Sequence, residues 1–572
     1  MNEWIVFFGK NNKRYNYNGF LNNKFSVMHC GQVYAYYKRE DHFADDQVFW
    51  STETQLCILD GVLLNLSELK TKYQLSNSLD VLLHMKKENP LFFAEFRGPF
   101  SGVSFDIGRV ELIAYGNQTG DAPVFYYSDD DIFIVSNDMN LIVDFLYENA
   151  MAYTFDEQAA LYALTYGFML DERTMITEIS RLTAGNYLRV SKSEFQNCSY
   201  HRFSFEEKDI SFEDAIEAVD AGFRMAVKRC FDKDREYGIE NHLADMSGGL
   251  DSRMTNWVAR DMGYENIVNI SYGQSASDEL KIASAVSREL GNQFVFQQLD
   301  EVSFVYDIDQ IINYNYGLTY YCGLTGAKNL LSSLNREKFG LEHTGQLGDI
   351  IVGSYGNTSE HVLPSAKIDR NSRLIEYSPD AELLSSYKCR EEFSLSNRGF
   401  RSVISTHLTR RHYFYTTSPF IDPDFIQICC NIPMRYRANH KLYWAWVDKK
   451  YPAAGQMAST RSRSTKKIKL YLEGGCRRIR RLGRKVLHTV GIVKNCNSAN
   501  NMNPFDYWYE SDKRLRDFIE SYYRETSKLL EPYKQTTEYI KKMMASSRTM
   551  DKLLALTVLG ALKRYFSKKG NE

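Results

Sequence analysis

Short apolar runs, broken by turn residues, dominate the first third of the chain. "EWIVFFGK", "QLCILDGVLLNL", "FSGVSFDIGRVELIAYG" and "APVFYYSDDDIFIVSN" are rich in Val, Ile, Phe and Tyr and are separated by Gly, Asp and Asn. Such runs predict strands. Helical periodicity is rarer there; "SNSLDVLLHMKKEN" carries it, with Ser76 or Ser78 as the N-cap. The pattern predicts an α+β domain of two layers, built on antiparallel sheets, over residues 1–205.

Near residue 210 the rhythm changes. "SFEDAIEAVDAGFRMAVKRCF" has the period of a long amphipathic helix. A short strand, the loop "MSGGLDS" and the helix "SRMTNWVARDMG" follow, then the strand "NIVNISYG" and the helix "SDELKIASAVSRELG". Alternating strands and helices of this length predict an α/β domain with a parallel sheet covered on both faces, over residues 206–460. Residues 461–572 read as a basic segment and a helical extension of that domain, ending in "TMDKLLALTVLGALKRYF". No repeat at a fixed period is present.

Composition changes this picture little. Hydrophobic residues make up 44% and charged residues 25% of the 572, as in ordinary globular proteins. A net charge of −2 gives no global case for nucleic-acid binding. None of the ten cysteines forms a CxxC pair, so reduced, buried thiols in a cytoplasmic protein are expected. The first residues lack the pattern of a secretory signal, and no apolar run reaches the length of a membrane span. From Arg461 to Lys485 there are eleven Lys or Arg and one acid, Glu473. That segment reads as a solvated helix face and loop, with a groove for an anionic substrate or a membrane-surface contact as the sharper alternatives.

The chemistry concentrates at Ser247-Gly248-Gly249-Leu250-Asp251-Ser252. A Gly-rich turn between a parallel strand and a helix is a phosphate site. Glycines admit the anion to the backbone, and the helix N-terminus adds positive potential. The hydroxyls of Ser247 and Ser252 can donate to it. Asp251 beside phosphate calls for a bridging cation, and Mg²⁺ binds this way. The spacing matches neither a Walker A loop nor GxGxxG. The plainer alternative is a surface turn with a helix cap.

These residues resemble the pyrophosphate loop of the ATP pyrophosphatases, and of the asparagine synthetase family in particular. "EHTGQLGDIIVGSYG" is similar to that family's SGEGxDExxGGY, "TTSPFIDPDFIQICCNIP" to its PFLD segment, and "ANHKLYWAWVDKKYP" to its Lys-led helix ending in Pro. In the first third, "DGVLLNL", "FRGPFSGVSFD" and "GNQTGDAPVFYY" resemble the class II glutaminase motifs NGEIYNH, LxGxFAFxxxD and RDxxGxxPLYY. The resemblance implies an Ntn-type glutaminase-like domain followed by an ATP-pyrophosphatase domain. It implies that Ser247, Gly248, Gly249, Leu250 and Ser252 cradle pyrophosphate, that Asp251 and Asp349 hold Mg²⁺, and that Met246, Tyr272, Gly273, Thr344 and Gly345 border the adenosine of ATP. Lys441 is then the candidate cation on the phosphates, against its alternative as a surface lysine at a helix start.

Three departures qualify the resemblance. The glutaminase nucleophile, a Cys exposed by Met removal, is Asn2 here, and Asn supplies no thiolate. Asn117 and Val62 replace two acids that bind glutamine. Gln346 stands where asparagine-forming members carry Glu, and an amide is no general base. Gln346 therefore joins Asp251, Asp349 and Lys441 as a catalytic candidate whose role is altered. An Arg in the RxK region after Pro452 falls at Arg461, with Arg463 or Lys466 as the second cation. The expected activity is an asparagine synthetase-like, ATP-dependent amide ligase without glutamine hydrolysis. Its partners would be ATP, a small-molecule or peptide carboxylate, and ammonia or a substrate amine, with a homodimer left open. A non-catalytic ATP-binding regulator of the same fold is the alternative, and chemistry on a nucleic-acid acceptor is disfavoured by the charge.

Overall fold

The computed structural model describes residues 2–11, 13–323, 325–353, 371–372, 374–375, 377–457 and 500–567. The basic segment 461–485, with Arg461, Arg463 and Lys466, lies outside the described residues.

Two six-stranded antiparallel sheets form the N-terminal region. In the first, Glu3–Gly9 lies between Val33–Lys38 and Ile132–Ser136, in register from Glu3 opposite Lys38 and from Ile5 opposite Ser136. In the second, Phe100–Asp106 lies between Gln55–Gly61 and Glu111–Gly116. Along Glu3–Gly9 the side chains alternate between two cores. Trp4, Val6 and Phe8 pack with Ile58, Val103 and Phe105 between the sheets. Ile5 and Phe7 face outward onto Ile142 and Phe145 of the helix Met139–Glu148. On the far side, Cys57 and Leu59 pack on Leu69 and Leu82 of two further helices, Leu66–Tyr73 and Ser78–Glu88. The region is therefore four layers, helix–sheet–sheet–helix, rather than the two predicted. The reason is physical: strands apolar on both faces must be covered on both. The Ser78–Glu88 helix is capped by Asn77, whose side chain accepts from the Asp80 N–H, and not by Ser76 or Ser78.

The second sheet system is parallel throughout. Its order is Gln293–Gln298, Ile267–Gly273, His242–Asp245, Glu342–His343, Thr416–Thr417. The helix Phe212–Glu236, capped by Ser211, buries Val219, Phe223 and Phe231 against one face of this sheet and the helices that flank it. The helix Asp278–Glu289 begins at Ser277, whose hydroxyl accepts from the Leu280 N–H. The helix Thr549–Phe566 is buried nearly all round. Its Leu554 and Leu559 share one core with Leu243 and Ile270 of the parallel sheet and with Ile5 of the first antiparallel sheet.

Buried ion pairs cross the seam between the two halves. Arg411 reaches Asp121 at 3.0 Å, and Lys233 reaches Asp46 at 3.2 Å, all four side chains being buried. A more exposed pair, Arg97–Asp424 at 2.9 Å, also crosses, and Arg229 holds Asp424 from its own half at 2.7 Å. The eight cysteines among the described residues are all free, and seven are buried. No helix among the described residues is long and apolar enough to cross a membrane.

Candidate functional site

The loop between the strand His242–Asp245 and the helix Leu250–Asp261 folds on its own hydroxyls. The Ser252 Oγ accepts from the Ser247 N–H at 3.0 Å and lies 2.9 Å from the Ser247 Oγ, which accepts from the Gly249 N–H at 3.1 Å. Beneath it, a buried asparagine ladder ties helix to sheet. Asn256 donates to the carbonyls of Asp245 and Ser252 and accepts from Asn269 at 2.6 Å, and Asn292 donates to Asn269 at 3.0 Å. Sequence alone did not single out this ladder; three Asn on buried elements was the available signal.

A second loop, Thr344–Asp349, leaves the neighbouring strand Glu342–His343 and presses on the first. A Cβ on Gly345 would stand 2.3 Å from the Ser252 nitrogen and 2.6 Å from the Asp251 carbonyl carbon. A Cβ on Gly348 would stand 2.7 Å from the Asp251 Cγ. At 345 the neighbours are main-chain atoms and only glycine permits this approach; at 348 the neighbour is a side chain. Thr255 fixes it by donating to the Thr344 carbonyl at 3.2 Å.

The two loops open on a cavity of about 400 Å³ at the C-terminal ends of the parallel strands. Met246, Ser247, Gly249, Asp251, Ser252, Tyr272, Thr344, Gly345, Gln346 and Asp349 line it, so most predicted positions come together. Leu250 lines an adjoining cavity of about 250 Å³, which also holds Asp251, Asp349, His440 and Tyr443. Gly248 lies within the loop itself. Gly273 lies behind the wall, where a Cβ would stand 2.8 Å from the Met502 Cγ; Met502 lines both cavities. Ligands in open parallel sheets sit at such strand ends.

Lys441 is the exception. Its ammonium lies 4.8 Å from the centre of the Phe212 ring and it lines neither cavity. The helix Lys441–Lys450 starts at that residue, and two positions on, Tyr443 is the side chain that faces the site. Its hydroxyl donates to the Asp251 Oδ1 at 2.9 Å. Burial first, then the carboxylates of Asp251 and Asp349, raise the Tyr443 phenol well above its ordinary range. The basic residue that lines the larger cavity is instead Arg398, an exposed residue on the wide π-type turn Leu395–Val403. Such turns gather at functional positions.

Below the cavity floor lies a charged network that sequence reasoning missed. Arg410 donates to Asp245 at 2.8 Å, to Glu342, and to the Tyr272 hydroxyl at 3.1 Å. Burial raises the Glu342 carboxyl above its ordinary range, opposed by Arg410 and reinforced by Asp245. Burial likewise lifts Tyr272 to about 12. This network holds Asp245 and Tyr272, one from each strand end, in the cavity wall.

Two carboxylates, Asp251 and Asp349, face cavities that also carry hydroxyls and exposed loop backbone. All-oxygen donors of this kind suit a hard divalent cation such as Mg²⁺, which takes one or two carboxylates and fills its shell from phosphate and water.

In the N-terminal region, the pocket around Asn2 is small, about 50 Å³. Asn2 is buried, and its amide donates to Asp60 at 2.7 Å. Asp60 also accepts from Asn137 at 2.9 Å and from Trp4 at 3.2 Å. Asn117 donates to the Gly98 carbonyl at 2.9 Å and to Asp121. The amide donors of Asn2 and Asn117 are thus both spent within the protein.

No family model matches the sequence, and no curated protein matches it. Faint structural likenesses exist. One is to the structure titled the allosteric regulatory enzyme of purine biosynthesis, with 11% identity, 52% of this chain and 74% of that chain covered, and a TM-score of 0.23. A second is to glutamine phosphoribosylpyrophosphate amidotransferase from B. subtilis complexed with ADP and GMP, with 10% identity, coverages of 52% and 85%, and a TM-score of 0.24. A third is to NH3-dependent NAD synthetase from Campylobacter jejuni, with 15% identity, coverages of 40% and 96%, and a TM-score of 0.18. Overlaps this small assign no activity.

Proposed function

We propose that the chain is an ATP-dependent amide-forming ligase of the asparagine synthetase type that does not hydrolyse glutamine. The supporting observation is the meeting of the SGGLDS and TGQLGD loops over one cavity, with Asp251 and Asp349 both in its walls. In the reaction, a substrate carboxylate oxygen attacks the α-phosphorus of ATP. The bond from that phosphorus to the bridging oxygen breaks, and pyrophosphate leaves. An amine nitrogen then attacks the acyl carbon, the bond to AMP breaks, and the nitrogen gives up a proton. The carboxylate is a poor electrophile and its acyl-adenylate a good one, so the first step makes the second feasible.

The chain's own groups supply positioning and charge. The N–H groups of residues 247–252, the hydroxyls of Ser247 and Ser252, and the start of the helix Leu250–Asp261 would hold pyrophosphate as it departs. Met246, Tyr272 and Gly345 would border adenosine. Asp251, oriented by Tyr443, and Asp349 would hold Mg²⁺, which when bound neutralises charge on the polyphosphate. Arg398 takes the role of cavity cation that sequence assigned to Lys441. Gln346 cannot receive the proton from the amine, so that proton passes to the departing AMP phosphate or to water.

Pyrophosphate and AMP release from ATP and Mg²⁺, with ammonia and a panel of carboxylates that includes aspartate and uronic acids, tests this reading. One carboxylate should elicit both products in equal amounts, and Asp251→Ala should abolish them. Turnover unchanged in Asp251→Ala refutes the assignment. ATP binding without cleavage under any carboxylate favours a regulatory ATP-binding role, in line with the loss of Glu at position 346.

A further inference from the structure

Met502 lines both the ATP-side cavity and the adjoining one. Among the described residues it is the one wall residue of either cavity from beyond Trp444. The ligase reading gives it no task. Its surroundings in sequence are "NNMNP", a turn-forming run with no apolar period to call for a methionine. Tertiary contacts give it a place.

Two backbone hydrogen bonds hold residues 500–504 as a strap across the end of the strand Ile267–Gly273. The Gln274 N–H donates to the Met502 carbonyl at 2.8 Å, and the Asp278 N–H to the Asn500 carbonyl at 3.0 Å. The second donor opens the helix Asp278–Glu289, where N–H groups lack partners within the helix. Behind the strap, in the helix Phe505–Ser511, the Trp508 Nε1 donates to the buried Gln274 Oε1 at 2.6 Å. The Trp508 ring lies 6.2 Å from that of Phe304. Glycine at 273 gives the methionine its room: φ is +155, and a Cβ would stand 2.8 Å from the Met502 Cγ and 3.1 Å from its carbonyl oxygen.

Five residues line both cavities: Ser247, Gly249, Asp251, Asp349 and Met502. The first four offer hydroxyl, backbone and carboxylate groups, which suit phosphate and a cation. Met502 offers a thioether. It packs on the core that contains Ile270 and Tyr272, and both of these line the larger cavity. The site therefore has a polar part at the loop 247–252 and an apolar part at the end of the strand Ile267–Gly273. A nucleotide has the same two parts, a charged polyphosphate and a flat base with apolar faces. An unbranched, polarisable thioether adapts well to such a face.

We propose that Met502 is the specificity-determining residue for the nucleobase: its side chain packs on one face of the adenine, and the strap 500–504 closes that end of the site. The proposal rests on the ATP reading given above.

Equilibrium dialysis of Mg²⁺-ATP against the full chain and three Met502 variants tests it. Met502→Ala should weaken ATP about tenfold, through loss of one apolar contact. The Mg²⁺ needed for half-saturation should stay unchanged, because Asp251 and Asp349 are untouched. Met502→Leu keeps the apolar bulk and should bind within about twofold of the native chain. Met502→Gln matches methionine in length but is polar; it guards against a misfolded alanine variant and should also weaken ATP. Native-like ATP binding by Met502→Ala and Met502→Gln overturns the proposal. So does a loss that Met502→Leu shares, or a Mg²⁺ requirement that rises in step with the loss. Failure of the native chain to bind Mg²⁺-ATP is a different result: it removes the nucleotide site itself, and the ligase reading with it.

Discussion

Gly345 is where two loops from adjacent strands touch, and replacing it with alanine is the most direct probe of the site. The added Cβ would lie 2.3 Å from the Ser252 nitrogen, 2.6 Å from the Asp251 carbonyl carbon and 2.7 Å from the Ser252 Cα. All three are main-chain atoms in the first turn of a helix, so no rotamer relieves the clash. Nonbonded heavy atoms rest about 3.5 Å apart, so the loops must part by about 1 Å. Overpacking of this kind costs about 1–3 kcal/mol. If the strain falls on the ATP-bound state, Mg²⁺-ATP affinity drops by about ten- to a hundredfold at 1.4 kcal/mol per decade. Two other glycines calibrate the experiment. Gly348→Ala meets the Asp251 side chain at 2.7 Å, and that side chain can swing. Its effect should therefore appear as a raised Mg²⁺ requirement with a smaller loss of affinity. Gly238→Ala has φ +68 and nothing within 4 Å, so it carries left-handed strain, about 1–2 kcal/mol, and no contact with the site. Equilibrium binding of ATP across a Mg²⁺ titration separates the three without any knowledge of the carboxylate substrate. If Gly345→Ala binds ATP as Gly238→Ala does, the two loops do not form one nucleotide site and the reasoning fails.

Further outcomes follow from other contacts. Tyr443→Phe removes one hydrogen bond to Asp251, worth about 0.5–1.5 kcal/mol, and should raise the Mg²⁺ needed for half-saturation up to about tenfold. Lys441→Ala should leave ATP affinity within a factor of about two, the scale of a surface substitution, whereas Arg398→Ala should lower it clearly; the reverse ranking in the same assay would restore the role that sequence gave Lys441. Asn2→Cys should release no ammonia from glutamine, because Val62 and Asn117 still stand in place of acids and the Asn117 amide stays bonded to the Gly98 carbonyl; ammonia detected by a coupled dehydrogenase assay would contradict this. Burial lowers the imidazoles of His201 and His412 to about 4 and also depresses His42, His343 and His407. Each of these histidines takes up a proton in the unfolded chain before the folded one, whereas buried carboxyls such as Asp138, raised to about 7, act in the opposite sense. The histidine contribution to the denaturant midpoint should therefore fall as pH drops from about 6.5 toward 4, by up to about 1.4 kcal/mol per pH unit for each proton. His412→Gln should flatten that slope, and an unchanged slope would remove His412 from the account.

What could be read from the sequence was local. The apolar run in "EWIVFFGK" predicts a strand, and the strand–SGGLDS–helix order predicts a Gly-rich turn at a helix start, because period and turn chemistry act over a few residues. Cap position was legible only to within a residue: Asn77, between the expected Ser76 and Ser78, caps the helix Ser78–Glu88. The parallel sheet followed from strands spaced a helix apart. What stayed hidden depends on partners distant in the chain. The N-terminal region has four layers because strands apolar on both faces found helices for both, and one-dimensional patterning does not say what lies across a sheet. Lys441 and Tyr443 sit on one short helix, and only its docking against Phe212 turned the tyrosine rather than the lysine toward Asp251. Arg410 and Glu342 carry no motif; they converge because burying a charge in the interior requires an opposite charge or a hydrogen bond beside it.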